Sequence, residues 1–309
     1  MSSSNNDRNL FKSLRWIAVA GLAVMMVGLA LAFASISGDM KSKAMYEDLN
    51  KEYVVVIDSK EEEDASKSND ETEINDVINS EPVEDEPEAE EDVEEAKKEN
   101  VIETYSYSYV GDWKEQFNVD LASVKNDYPD AVGWIIFEND NVSYPIMYSG
   151  DDEKYLKTMS NGVKSASGAI FLEALNNTSF SDMHTLIYGH NMRNGSMFGK
   201  LNKYFNQPNY YEYHKYFQII TYDEYGKMVK YRYCVFAANR VDMNSDAYVI
   251  CGDDVQTYAN LIAFLRQNST VGAGVQVSLD SHIVSLSTCN RNTERTLISA
   301  VRVDECYVD

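Results

Sequence analysis

Eight short apolar segments, lying between residues 131 and 303 and separated by polar connections, constrain the fold of this chain more than any other feature. They fall at 131–137, 142–147, 168–172, 184–188, 217–221, 229–238, 282–287 and 296–303. Runs this short, rich in Val, Ile, Phe and Tyr and bounded by turn residues, predict strands. The first two flank Glu138-Asn-Asp-Asn141 and predict a hairpin. A mainly-β domain with this many short strands closes into a barrel or stacks as a sandwich. Helical spacing appears at 112–125, 197–205 and 253–267. The last is the clearest, with Val255, Tyr258, Leu261, Ile262 and Leu265 on one stripe and Asp253 placed to cap it.

The rest of the 309 residues divides by charge. No charged residue occurs from 16 to 38, a run about as long as the ~20 residues that cross a bilayer. Arg8, Lys12 and Arg15 precede it, which predicts a cytoplasmic N-terminus and a domain outside the cell. Ala32-Phe33-Ala34 resembles a processing site, but the apolar run is long for a signal peptide, so a retained anchor is expected. Residues 58–100 hold 20 acidic and 4 basic side chains, a net of −16 against −23 for the whole chain. Such a stretch, interrupted by Pro82 and Pro87, cannot bury enough apolar surface to offset its ordering entropy. The expected organisation is a cytoplasmic segment at 1–15, an anchor at 16–38, a juxtamembrane and acidic disordered spacer at 39–104, and one folded domain at 105–309. On that reading a chain begun near Asn100 keeps its turnover. Nucleic acid is not an expected partner of so acidic a chain.

Two of the strands end in residues able to do chemistry. One strand leads through Tyr188-Gly189 to His190, and another through Ser287-Thr288 to Cys289, with Arg295 shortly after. A thiol supplies a nucleophile, an imidazole moves a proton, and a guanidinium can stabilise an oxyanion. Cys234 lies within a strand and reads as an inert core residue, while Cys251 and Cys306 have no zinc-type spacing. His184 and His282 begin strands, at the opposite end from Cys289, and His214 sits among tyrosines as a surface or half-buried residue. The 22 tyrosines cluster at 105–109 and 204–216 and are read mainly as amphipathic packing.

The segments TLIYGHNMRNGSMFGKL and SLSTC, the latter followed by arginine, resemble the two signature blocks of class B sortases, Gram-positive surface transpeptidases. VGWI, the YPIM strand and GAIFLE extend the resemblance across the third zone. It implies an eight-stranded sortase-type barrel with an N-terminal helix and a helix between strands six and seven. It also implies a catalytic His190, a nucleophilic Cys289 and an oxyanion-stabilising Arg295. Substrate contacts are implied at Asp152, Leu156 and Ser287. No cofactor or metal is implied. The implied partners are a surface protein bearing a sorting signal of the NPxTx kind and an amine of a cell-wall precursor or pilin. Departures are the short Cys-to-Arg spacing, a second arginine at Arg291, and aspartate rather than the usual asparagine at Asp152. A cysteine endopeptidase and a non-catalytic stalked adhesin are the alternatives. The papain-type CGSCW is absent and the histidine precedes the cysteine, which ranks the peptidase second.

Overall fold

The computed structural model describes residues 37–56, 111–291 and 293–308, with the backbone alone for Cys289 to Arg291. The anchor expected at 16–38 lies outside them except for its last two residues, and the acidic stretch at 58–100 and the tyrosines at 105–109 lie wholly outside. Among the described residues no helix is long and apolar enough to cross a membrane.

The chain enters through a helix at 37–53 (α1) and a strand, β1 (Val54–Val56). After the undescribed stretch come α2 (Trp113–Gln116), β2 (Phe117–Val119) and α3 (Leu121–Asp127). The single helix expected over 112–125 is therefore broken. Its middle is a strand because β1 pairs with it, antiparallel, with Val54 opposite Val119 and Val56 opposite Phe117.

That pairing revises the expected organisation. Residues 37–56 belong to the folded body, with Tyr46, Leu49 and Tyr53 buried in the same core as the barrel. The Tyr53 hydroxyl donates to Asp127 at 2.6 Å, and the Asn50 amide donates to the Ser143 carbonyl at 2.9 Å. β1 ends and β2 begins side by side, with Val56 opposite Phe117. The link from residues 16–36 to the barrel thus runs through α1, not through the acidic stretch.

The barrel strands follow as β3 (Ala131–Phe137), β4 (Ser143–Met147), β5 (Ile170–Leu172), β6 (His184–Tyr188), β7 (Tyr216–Tyr222), β8 (Met228–Asp242), β9 (Ile283–Arg291) and β10 (Glu294–Tyr307). They close in the order β10-β8-β7-β3-β4-β5-β6-β9. Every segment read as a strand is one, and β3 and β4 form the expected hairpin. Successive residues point to opposite faces of a strand. Accordingly Ile187 and Ile298 enter the interior cluster, while their neighbours Leu186 and Leu297 join an outer cluster.

Short helices α4 (Lys203–Asn206) and α5 (Tyr210–Tyr213) precede β7. The expected helix at 197–205 is a 3₁₀ turn at Gly199–Asn202 running into α4. The helix α6 (Val255–Gln267) lies between the sixth and seventh barrel strands and covers the outer cluster with Tyr258, Leu261 and Leu265. Burial of such side chains stabilises the fold by about 1.5–3 kcal/mol each. Its cap is Asp254, not Asp253: one carboxylate oxygen accepts from the Gln256 and Thr257 amides. Of the described tyrosine cluster, Tyr204 and Tyr210 are core and Tyr213 is exposed, and His214, expected near the surface, is buried against the Tyr210 ring.

Candidate active site

The ends of β6, β9 and β10 are brought together by register. β6 and β9 run parallel, with Tyr188 opposite Ser287, and the Gly189 amide donates to the Ser287 carbonyl at 3.1 Å. His190 and Cys289 each lie two residues further on, so their backbones stand at the same level just past the last β6–β9 pair, on chain segments that run ~4.8 Å apart within the sheet. On the other side of β9, Cys289 is the direct antiparallel partner of Arg295. One sequence expectation changes here. β9 does not end at Cys289 but runs on to Arg291, which pairs with Glu294 in the same ladder.

His190 is half-buried, and its Nε2 lies 2.7 Å from the Leu156 carbonyl oxygen. A carbonyl only accepts, so Nε2 carries a proton and donates it. The neutral ring then keeps its lone pair on Nδ1, which is left to exchange a proton. The approach is close-packed. A Cβ on Gly189 would lie 2.4 Å from Ile170 Cδ1 and 2.7 Å from Phe198, so only glycine lets the chain turn there. The loop after His190 closes back on it, with the Phe198 amide donating to the His190 carbonyl at 3.0 Å.

A cavity of about 400 Å³ opens beside these strand ends, and His190, Arg295, Asp152, Leu156 and Ser287 all line it. Sequence reasoning missed its remaining polar walls. The Tyr248 hydroxyl shares a hydrogen bond of 2.8 Å with Ser287 Oγ, and its ring stacks on Tyr188. Tyr188 donates to Glu173 at 2.6 Å, an acceptor that pushes the phenol pKa up alongside the larger effect of burial. Asp152 accepts from the Ala174 amide at 2.8 Å. Burial, together with a shared hydrogen bond and like charge from Glu173, raises the Asp152 carboxyl to about 6. The sequence signal for Glu173 was present, since it ends GAIFLE; Tyr248 lies on a loop with no local signature.

The other three cysteines are unpaired: Cys234 and Cys251 are buried, Cys306 half-buried. Burial raises the Cys234 and Cys251 thiols, the latter to about 11, so neither is a ready nucleophile. Among the described residues no cluster of side chains could hold a metal ion.

Fold and cavity together define a class: a closed eight-stranded barrel that brings a histidine, a cysteine and an arginine to one rim. The proteins of that class similar to this chain are sortases of class B. Sortase B of Listeria monocytogenes serovar 1/2a is 31% identical over 165 residues, covering 52% of this chain and 63% of that protein. Sortase B of Staphylococcus aureus is 26% identical over 191 residues, 60% of this chain and 76% of its own. The X-ray structure of Clostridium perfringens sortase B matches with a TM-score of 0.54 and 27% identity, over 60% of this chain and 100% of that one. The chain thus spans just under two thirds of the listerial relative. No family model matches. The resemblance read from the two motifs holds in both sequence and fold.

Proposed function

We propose that this chain is a class B sortase, a cysteine transpeptidase acting on a sorting signal. The observation that supports the reading is the register: Tyr188 opposite Ser287 and Cys289 opposite Arg295, which brings the backbones of His190, Cys289 and Arg295 to adjoining strands, with His190 and Arg295 lining one cavity. The Cys289 thiolate attacks the threonine carbonyl carbon of the Thr–X bond in an NPxTx-type signal. Arg295 stabilises the tetrahedral oxyanion, and imidazolium His190 protonates the departing amine. The resulting thioester is opened by a primary amine of a cell-wall precursor or pilin. That forms the new amide and returns the thiol. Asp152, Leu156 and Ser287 contact the signal along the cavity. Residues 16–38 anchor the protein in the cell membrane, N-terminus inside and barrel outside, a reading supported by the uncharged run and the three cations before it.

A quenched fluorescent peptide carrying an NPxTx motif tests this, with and without an added primary amine. Turnover is expected in wild type and in Cys234→Ala, amine-linked product only when amine is present, and neither in Cys289→Ala. Cleavage that never incorporates amine supports the endopeptidase reading. Full turnover by Cys289→Ala overturns the mechanism.

A further inference from the structure

α1 reaches the proton-transfer histidine through two separate sets of bonds, both starting at Tyr46. The Tyr46 hydroxyl is buried and donates to the Gly168 carbonyl at 3.0 Å, and the Ser160 amide donates to that same hydroxyl at 3.4 Å. These bonds pin the segment 155–168, whose ends are joined where the Ala169 amide donates to the Tyr155 carbonyl at 3.0 Å. Within that segment the Leu156 carbonyl accepts the hydrogen bond that His190 Nε2 donates. On the other side, the Tyr46 ring meets Tyr144 edge-on, centroids 5.1 Å apart. The Tyr144 hydroxyl accepts from the Met197 amide at 2.9 Å, and Met197 bridges back to Asn191, the residue after His190.

We propose that Tyr46 is a positioning residue for His190, so that the helix next to the expected membrane anchor is part of the catalytic apparatus and not a link to it. This rests on the reading that His190 transfers the proton. Tyr46 touches neither substrate nor imidazole. It holds the carbonyl that fixes which ring nitrogen carries hydrogen. When that carbonyl drifts, the proton redistributes between the two nitrogens and the ring loses its aim, and a misplacement of ~1 Å can cost ~10²-fold in rate.

The test uses the full chain in detergent and three variants: Tyr46→Phe, Tyr53→Phe and His190→Ala. Tyr46→Phe keeps the ring against Tyr144 and loses only the hydroxyl. It is expected to lower kcat by ~10-fold, within the range a misaimed proton donor loses, with KM within ~2-fold. The kcat–pH profile should shift, and the ¹⁵N spectrum of His190 should change from one Nε2–H tautomer to a mixture. Tyr53→Phe loosens the same helix by removing the bond to Asp127, away from the cavity. It should leave kcat, pH profile and tautomer as in wild type. A Tyr46→Phe protein with wild-type kcat and tautomer overturns the proposal, as does an equal kcat loss in Tyr53→Phe, which would make α1 a general stabiliser. Full activity in His190→Ala would instead remove the reading of His190 on which the proposal rests.

Discussion

His184 offers a quantitative check on the barrel, separate from catalysis. It opens β6, far from the strand end that carries His190, and is 1% exposed. Its Nδ1 donates to the Val249 carbonyl at 3.1 Å, and its Nε2 meets Ser285 Oγ at 2.9 Å. Burial disfavours the charged ring and lowers its pKa from 6.5 to about 4; the Val249 carbonyl and Asp182 oppose this only in part. A histidine depressed in the fold contributes stability fully present above pH 6.5 and lost as pH falls through about 4. The total is about 3 kcal/mol at ~1.36 kcal/mol per pH unit. Between pH 7.5 and pH 5 the two-state linkage relation gives a loss of about 2 kcal/mol. Asp152, raised to about 6, acts oppositely, since its contribution is present at low pH and lost as pH rises through 6. Comparison with His184→Gln removes that background. The variant should be less stable than wild type at pH 7.5, by about 1–3 kcal/mol for an imperfectly replaced buried polar group. It should then lose about 2 kcal/mol less than wild type on going to pH 5. Urea unfolding of the chain from residue 37 onward, followed at both pH values, measures this. Equal losses in the two proteins would refute the assignment of the acid sensitivity to His184.

Gly168 sits at φ +54, and a Cβ there would lie 2.3 Å from the Tyr155 carbonyl oxygen, 2.9 Å from that of Leu156 and 3.1 Å from the His190 ring. Gly168→Ala should therefore lower both Tm and kcat, the left-handed backbone alone costing about 1–2 kcal/mol. Arg295→Ala is expected to cut turnover by ~10²–10³ as an oxyanion donor is lost, with Arg291→Ala costing far less; a larger kcat loss at Arg291 would reverse the assignment. Asp152→Asn should flatten the change in KM between pH 5 and pH 7, because the group rising to about 6 in the cavity is gone; an unchanged KM–pH profile counts against it. A chain begun near Asn100 lacks α1 and β1, so its melting temperature and soluble-peptide turnover should both fall, the reverse of the expectation for a passive spacer.

Much of the barrel was written locally. The strand 131–137 carries a near-continuous apolar run because both faces are covered, and α6 announces itself by its stripe and its aspartate cap. His190 was legible as a residue just past a strand end, whereas Cys289, read the same way, lies within β9. What the sequence could not supply was anything set by pairing between distant segments. β8 runs on through Asn239 to Asp242 and β9 through Arg291, polar stretches that are strands only because β10 bonds to them. Phe117–Val119 leaves helical spacing because β1, some sixty residues earlier in the chain, lies beside it. Tyr46, Leu49 and Tyr53 fall in a segment read as spacer, and only contact with the barrel shows that they belong to its core. The cavity follows the same rule: Glu173, Tyr188 and Tyr248 meet beside His190 through a parallel crossover and a loop, so no spacing along the chain encodes their distance. Local sequence set which segments become strands and helices, through side-chain periodicity. The tertiary structure decided register and neighbours, because backbone bonds in a ladder are indifferent to the side chains that carry the chemistry.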